Sequence, residues 1–194
     1  MESLNARAGK ASPILPLRHP TRIITLTGLP GSGVHTVTRV LRSEFEAVEM
    51  SMAAFPRLRM EAEGGVHGPL EEFLADFRLQ RERIVRLIWI RPFHRRLVRL
   101  LRHAPPPRLV ITDVLTQVEL AYCKTLGARL VHLTAPAEVR RQRIGVRFPS
   151  RPIEAHELLE KLVQSQPQLW HLIIDTDEPY AEFMKSVCAQ VGRL

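Results

Sequence analysis

The fold of this chain is decided by the stretch Arg22-Ile-Ile-Thr-Leu-Thr-Gly-Leu-Pro-Gly-Ser-Gly33. It begins with a short run rich in β-branched residues, which predicts a strand. The run ends in glycines and a proline, which predict a tight loop. Residues 34–45 follow with apolar side chains at helical spacing. The stretch therefore predicts a strand, a glycine loop and a helix in direct succession.

The glycine loop has the spacing of a phosphate-binding loop. Gly28 and Gly33 match G-x-x-x-x-G, in which backbone N–H groups surround phosphate oxygens and the next helix points its N-terminus at their charge. The full motif continues with a lysine and a serine or threonine, whereas Val34 and His35 follow here. The lysine is absent, and an imidazole is a poor ligand for magnesium, which prefers oxygen. The spacing and context favour a degenerate phosphate loop over the alternative, a plain glycine-rich turn.

Strands and helices alternate along the rest of the chain. We predict further strands at about 45–50, 108–113, about 129–134 and 169–175, and helices at 70–102 with a break or kink near Pro92, about 116–126, 137–147, about 153–165 and 180–194. Strands alternating with helices at this spacing form βαβ units around a parallel sheet that is covered on both faces. The sequence thus predicts an α/β fold in one domain, residues 22–194, after a disordered or extended leader, residues 1–21.

The chain is strongly basic. Its 194 residues include 28 Lys and Arg against 20 Asp and Glu, for a formal net charge of +8, and 24 of the 28 are Arg. Such a balance favours an acidic partner: a nucleotide or other phosphorylated ligand, RNA or an anionic membrane surface. Residues 78–102 alone hold nine arginines and a single acid, Glu82.

Arginine pairs bidentately with phosphates, so the basic segment is a candidate RNA or ribonucleoprotein contact. The candidate residues are Arg91, Arg95, Arg96, Arg99 and Arg102. The alternative interpretation is a solvated helix surface, because nine arginines on one continuous helix would cover much of its circumference.

Several classes of protein are excluded by composition. Cys123 and Cys188 have no metal-ligand spacing, so we expect free thiols in a reducing, intracellular compartment and no disulfide framework. No apolar run approaches the roughly 18 residues of a membrane span. We assign no metal site. The leader carries three basic residues and one acid, so the expected location is cytoplasmic, or mitochondrial if the leader is a presequence.

Taken in order, the motifs resemble the small-molecule kinases of the P-loop class, specifically dephospho-coenzyme A kinase and the deoxynucleoside monophosphate and phosphomevalonate kinases. The matching segments are residues 23–37, Val110-Ile-Thr-Asp-Val114 with Glu119 after it, Leu133-Thr-Ala-Pro-Ala-Glu-Val-Arg-Arg-Gln-Arg-Ile144, and Leu172-Ile-Ile-Asp-Thr-Asp177. The resemblance implies a three-layer α/β/α P-loop kinase-like fold with a five-stranded parallel sheet. It also implies a LID-like segment at about residues 137–155.

The resemblance implies roles for individual residues. Phosphates would be held by Gly28, Gly31, Ser32, Gly33 and Thr36, with His35 standing in the loop where those kinases carry a serine or aspartate. Asp113 would lie near metal or acceptor, although it could instead cap the next helix. The LID arginines Arg140, Arg143 and Arg147 would clamp phosphates, or form a solvated helix face.

The sequence departs from the kinase pattern at three chemical positions. The loop lacks its lysine and its hydroxyl, and the segment after the second predicted strand offers only Glu49 where dephospho-coenzyme A kinases place an aspartate as base. Phosphotransfer to an alcohol or phosphate depends on positioning and charge neutralisation. We therefore expect a degenerate kinase that acts mainly as a binding or scaffold protein, with ATP and magnesium bound weakly or not at all. The alternatives are an active ATP-dependent small-molecule kinase and an RNA-binding module.

Overall fold

The structure, a computed structural model, describes residues 21–62, 70–85, 87–145, 153–177 and 180–191. Most of the predicted leader, residues 1–20, lies outside this range. The elements are β1 (Arg22–Gly28), α1 (Val34–Phe45), β2 (Val48–Ser51), α2 (Ala54–Ala62), α3 (Leu70–Ile84), α4 (Ile90–His103), β3 (Arg108–Thr112), α5 (Gln117–Thr125), β4 (Arg129–Thr134), α6 (Ala137–Ile144), α7 (Glu154–Ser165), β5 (Leu172–Asp175) and α8 (Tyr180–Val191).

The five strands form one parallel sheet in the order β2-β3-β1-β4-β5. The first strand is therefore central, with Ile24 opposite Val110 of β3 and Leu26 opposite Val131 of β4. Since all strands point the same way, their carboxyl ends meet at one edge, where the loop after β1 lies. The predicted α/β fold with a five-stranded parallel sheet is confirmed.

Helices cover both faces of the sheet. One face packs against α1 and α8 through Val37, Leu41 and Val187. The other packs against α4, α5 and α7, including the fully buried Phe93 and Leu97 of α4. A sheet that is buried on both sides requires continuous apolar strands, which explains why β1, β3 and β4 read as apolar runs rather than alternating ones.

The basic segment is two helices rather than one. The predicted break near Pro92 is wrong in position, because α3 ends at Ile84 and α4 begins at Ile90. Pro92 lies in the first turn of α4, where a missing backbone N–H leaves no hydrogen bond unmade. The break divides the arginines of the basic segment between two separate helices.

Two other boundaries differ from the prediction. The second strand begins at Val48 rather than near residue 45, because α1 continues to Phe45 and closes with Glu46 in the left-handed region at φ 51°. The Ala47 N–H then donates to the Leu41 carbonyl at 3.1 Å, a bond that satisfies one of the helix's terminal carbonyls. The last strand starts at Leu172, since residues 167–169 form a turn of 3-10 helix.

Helix α2 was not predicted, because its nine residues include Pro56 and have weak helical periodicity. The prediction of free thiols is confirmed. Cys123 is fully buried, and burial raises the pKa of its thiol to about 12; Cys188 is half-buried.

Candidate functional site

The loop after β1 is built from glycines that other residues could not replace. Gly31 and Gly33 have φ values of 85° and 94°, in the left-handed region that favours glycine. A Cβ on Gly31 would lie 2.8 Å from the carbonyl oxygen of Arg140, so α6 packs directly on the loop. A Cβ on Gly28 would clash with the Ser32 hydroxyl and approach the Leu133 carbonyl to 2.7 Å. The backbone is thus held in a tight turn between the sheet and α6.

Helix α1 begins at this loop with its N-terminus uncapped. Gly33 is the N-cap residue and offers no side-chain hydrogen bond, and the first turn contains no acidic residue. The first N–H groups of a helix have no partner within the helix and carry partial positive charge. Together with the loop, they form an environment suited to an anion.

A cavity of about 530 Å³ opens beside the loop at the carboxyl edge of the sheet. The predicted loop residues that line it are Gly28, Gly31, Gly33, His35 and Thr36. Asp113 and Arg143, which were also predicted, line the same cavity. The structure therefore brings together seven of the predicted site residues in one place.

Ser32 is the loop residue that the structure separates from this cavity. Its side chain is 1% exposed, and its hydroxyl has no hydrogen-bond partner. Its N–H donates to the Leu29 carbonyl at 2.9 Å, so this donor closes the loop turn. Ser32 lines a second, smaller cavity of about 210 Å³ on the other side of the loop.

Asp113 follows β3 with φ 57°, an uncommon conformation for a residue other than glycine. Its carboxylate accepts a hydrogen bond from the Ser51 hydroxyl at 2.5 Å, and Ser51 ends the neighbouring strand β2. The alternative role as a helix cap is wrong. Helix α5 is capped by Thr116, whose hydroxyl accepts from the Glu119 N–H, while the Glu119 carboxylate accepts from the Thr116 N–H.

A buried ion pair supports the floor of the cavity. The Arg78 guanidinium donates to Glu119 at 2.6 Å, with the two side chains 4% and 0% exposed. The same guanidinium nitrogen donates to the Asp113 carbonyl at 2.7 Å. Arg78 lines the cavity although its charge is compensated. Arg78 is thus an internal residue, and not part of the outer basic surface predicted for residues 78–102.

The predicted LID arginines point in different directions. Arg143 donates to the Gly31 carbonyl at 3.2 Å and to the Thr176 hydroxyl at 2.9 Å, so it links the loop to the segment after β5. Arg140 donates to the Ala135 carbonyl, lies 3.7 Å from a carboxylate oxygen of Glu160, and lines the smaller cavity. Arg147 lies outside the described residues.

The two residues at the start of α1 that depart from the kinase pattern both line the cavity. Val34 lines the cavity and packs against the apolar cluster beneath the sheet. His35 is exposed and lines the cavity from the solvent side. Glu49, the third departure, accepts from the Thr112 hydroxyl at 3.2 Å and pairs with Arg42 at 3.5 Å. It does not line the cavity.

The smaller cavity contains a neutral histidine. His132 is 4% exposed, its Nδ1 is 2.8 Å from the Thr27 hydroxyl oxygen, and its ring centroid lies 5.1 Å from that of Trp170. Burial lowers the pKa of His132 to about 4. His132 therefore supplies no positive charge behind the loop at neutral pH.

Arginines also cover the outside of α4, away from the cavity. They are the predicted nucleic-acid residues, and all five are exposed: Arg91, Arg95, Arg96, Arg99 and Arg102. None of them lines either cavity.

Comparison with known proteins identifies the architecture. No protein-family model and no curated protein matches the chain. Solved structures do match it. A tunicamycin resistance protein from Deinococcus radiodurans aligns with a TM-score of 0.56 at 17% identity, covering 89% of this chain and 96% of that one. The chain has the P-loop kinase fold.

Two further structures with this fold align over similar lengths. A putative kinase from Chloroflexus aurantiacus has a TM-score of 0.54 at 17% identity and covers 91% of this chain and 100% of its own. A shikimate kinase from Acinetobacter baumannii, solved in complex with shikimate, has a TM-score of 0.52 at 17% identity and covers 89% and 94%. Identities this low establish the P-loop kinase fold and leave the chemistry to the residues of this chain.

Four residues in or beside the cavity were not predicted as part of this site. Arg57, Arg78 and His156 line the cavity, and Ser51 donates a hydrogen bond to the lining residue Asp113. Ser51 had a usable signal, because polar residues at the carboxyl ends of parallel strands gather at the ligand-binding edge of this fold. Arg57 lies on the unpredicted helix α2, and His156 reaches the cavity from α7, a placement that only the packing of the helices determines.

The described residues contain neither a candidate metal site nor a candidate membrane-spanning helix. Within them, no group of three or more His, Cys, Asp or Glu side chains could hold a metal ion. Among the helices of the same residues, none is long and apolar enough to cross a membrane.

Proposed function

We propose that this protein binds a phosphorylated ligand, in the first place a nucleotide, at the loop between β1 and α1. We further propose that phosphotransfer is weak or lost, so that the protein acts mainly by binding. The observation that carries the proposal is the uncapped start of α1, which faces the 530 Å³ cavity together with Gly31 and Gly33. Backbone N–H groups in this arrangement recognise phosphate without any side chain.

The charges of the cavity favour an anion. Arg57 and Arg143 line it and carry positive charge, whereas Asp113 is the acidic lining residue. The charge of Arg78 is balanced by Glu119 at 2.6 Å, so it adds little to the field. A cleft with an excess of one charge raises the local concentration of ligands of the opposite charge.

The same loop lacks two groups that phosphotransfer uses. At the lysine position, Val34 packs into the apolar cluster and carries no charge. At the hydroxyl position, His35 offers an imidazole. Loss of one preorganised electrostatic donor typically costs about a hundred- to a thousand-fold in rate. Both losses together support a binding role.

Phosphate and magnesium fit this site differently. The glycine loop fits a phosphate group, because Gly31 and Gly33 line the cavity and lead into the uncapped start of α1. The side chains at the usual magnesium-ligand positions do not suit the ion. His35 replaces the loop hydroxyl, and the Asp113 carboxylate accepts a hydrogen bond from Ser51. We therefore expect binding that depends little on magnesium.

Isothermal titration calorimetry with ATP, ADP and pyrophosphate, each with and without magnesium, tests the proposal. We expect saturable binding at submillimolar to millimolar ligand in both conditions. Gly31→Ala should abolish binding, because its Cβ would displace α6 from the loop. Gly127→Ala is the matched control, since Gly127 also has positive φ but its Cβ would meet open space.

A second variant tests the proposal even if Gly31→Ala does not fold. Arg57→Gln removes a charge that lines the cavity and should weaken ATP binding several-fold, whereas Arg129→Gln removes an exposed charge elsewhere and should not. Absence of saturable binding at millimolar nucleotide in the unaltered protein would contradict the proposal.

The proposed loss of chemistry is tested by restoring it. Val34→Lys combined with His35→Ser should raise magnesium-dependent release of phosphate from ATP by about a hundred-fold or more, if the loop holds the phosphates. Val48→Lys with His103→Ser makes the same chemical changes at exposed positions and serves as the control. An unchanged rate in the first variant would mean that the loop does not hold the transferred phosphate.

An active ATP-dependent small-molecule kinase is the second candidate. It is favoured by Asp113, which lines the same cavity as the start of α1. Transfer of labelled γ-phosphate to dephospho-coenzyme A, nucleoside monophosphates or shikimate would establish it. Asp113→Asn should then lower the transfer rate far more than ATP binding, and a panel without labelled product would remove this candidate.

A further inference from the structure

The outer face of α4 carries a continuous set of guanidinium groups. At about 100° per residue, Arg91, Arg95, Arg96, Arg99 and Arg102 fall within about 140° of arc. We call this set the α4 arginine face. It extends for about 16 Å along the helix, at about 1.5 Å per residue. The single helix expected over residues 78–102 is wrong, because α3 ends at Ile84 and α4 begins at Ile90, so these five residues are the arginines of a separate helix.

Within the described part of the chain, no carboxylate pairs with the α4 arginine face. Helix α4 contains no Asp or Glu. Among the described residues, none forms an ion pair with any of the five guanidinium groups. Five like charges on one face repel each other, so a bound polyanion would relieve this repulsion as well as pair with the arginines.

The opposite face of α4 holds the arginines in place. Ile90, Phe93, Leu97 and Leu101 are buried against the sheet and are centred about 170° from the arginines around the helix. The helix is therefore a fixed platform rather than a mobile basic tail. Its apolar face is also unavailable to lipid, whereas helices that lie on membranes bury theirs by about 5–10 Å in the interface.

We propose that the α4 arginine face binds the phosphodiester backbone of RNA, at a site separate from the nucleotide cavity. Guanidinium groups match phosphate oxygens bidentately, and this face contains arginine and no lysine. No Phe, Tyr or Trp side chain is exposed on α4 to stack on a base, since its Phe93 is fully buried. Binding should accordingly be independent of base sequence and governed by salt.

Fluorescence anisotropy with labelled single-stranded U20 and A20 RNA measures this binding in the full-length protein. If all five arginines contact phosphates, the logarithm of the association constant should fall with the logarithm of salt concentration at a slope of about −3.5. The affinity should then drop about a hundred-fold between 50 and 200 mM salt. The two RNAs should bind within a few-fold of each other.

Charge-matched variants assign the binding to one face. Arg95→Gln, Arg99→Gln and Arg102→Gln together should reduce the slope to about −1.4 and weaken binding at low salt by more than tenfold. The control removes three positive charges from other exposed positions: Arg22→Gln, Lys124→Gln and Arg129→Gln. It should leave the slope nearly unchanged. All six side chains are exposed, so both variants should fold, which circular dichroism checks.

Three outcomes would overturn the proposal. The first is no RNA binding at 50 mM salt. The second is equal loss in the two triple variants, which would mean diffuse attraction to a basic protein. The third is stronger binding to phosphatidylserine vesicles or to polyglutamate than to RNA, with the same dependence on Arg95, Arg99 and Arg102, which would assign the face to a membrane or an acidic protein. Unchanged ATP affinity in the first variant would separate this site from the nucleotide site.

Discussion

Helices α3 and α4 follow each other in the chain and are both rich in arginine, yet their arginines have different surroundings. On α3, Arg78 is buried against Glu119, Arg81 lies over the Phe77 ring at 5.3 Å, and Arg83 pairs with Glu154 at 2.5 Å. On α4, the five arginines face solvent without an ion pair to any described residue. The contrast between the two helices shows that the number of charges in a segment does not locate a binding surface. The location of such a surface depends on which side of each helix packs against the core.

The largest effect should come from the innermost arginine. Arg78→Met leaves the Glu119 carboxylate buried without its partner, so we expect a loss of about 3–5 kcal/mol in the free energy of unfolding. Urea denaturation followed by circular dichroism measures it. Arg83→Met breaks an ion pair whose side chains are 57% and 52% exposed and should cost no more than about 1 kcal/mol. Similar losses in both variants would contradict the distinction between the two arginines.

Substitutions on the two faces of α4 should differ in their effect on stability nearly as much as those of Arg78 and Arg83. Leu97→Ala empties a fully buried position and should destabilise the protein by about 3 kcal/mol. Arg99→Ala, on the opposite face, should change stability by less than about 0.5 kcal/mol. Thermal unfolding of the two single variants compares them directly. A large loss for Arg99→Ala would mean that the α4 arginine face has a structural role within the chain.

His132 is a buried basic side chain that contacts the Thr27 hydroxyl, whereas Arg78 is paired with a carboxylate. Burial lowers the pKa of His132 to about 4 in the folded protein, whereas an unfolded histidine titrates near 6.5. The unfolded chain therefore binds a proton first, and stability should fall as pH drops from about 6.5 to about 4, by about 3 kcal/mol in total. Urea denaturation at several pH values should detect it. His132→Asn should flatten this part of the profile, and an unchanged slope would assign the effect to other groups.

A smaller loss of stability is expected at the helix cap that orients Glu119, the partner of Arg78. Thr116→Ala removes the hydroxyl that accepts the Glu119 N–H and should cost about 1 kcal/mol. Thr125→Ala, at the other end of α5, removes a hydroxyl that bonds the Tyr122 carbonyl and should cost less. Thermal unfolding resolves both values. A loss as large as that of Arg78→Met would mean that the cap and the ion pair act as one unit.

Much of the fold follows from local pattern. The strand, loop and helix at residues 22–45, the parallel sheet and helix α5 agree with prediction, because apolar runs and glycine spacing act over a few residues. The break between α3 and α4 was misplaced at Pro92, since a proline in a first turn and a proline that ends a helix look alike in sequence.

The site was only partly accessible to sequence reasoning. The loop glycines and Asp113 follow strands and could be expected at one edge of the sheet. Arg57 and His156 come from helices whose positions depend on packing, and no local pattern points to them. Likewise, Arg140 and Arg143 are three residues apart on α6, yet one turns to Glu160 and the other to Thr176, because different neighbours lie on either side of that short helix.

The alternation of strands with helices, the glycine loop, the missing lysine and the excess of arginine over lysine could all be recognised in the sequence alone. These features are carried by residue identity and short-range spacing. Which arginines are internal, which face solvent and which polar groups share the cavity with the loop became visible only in the packed fold. Those properties depend on how distant elements pack around a common core, and burial is a property of the packed elements rather than of any one segment.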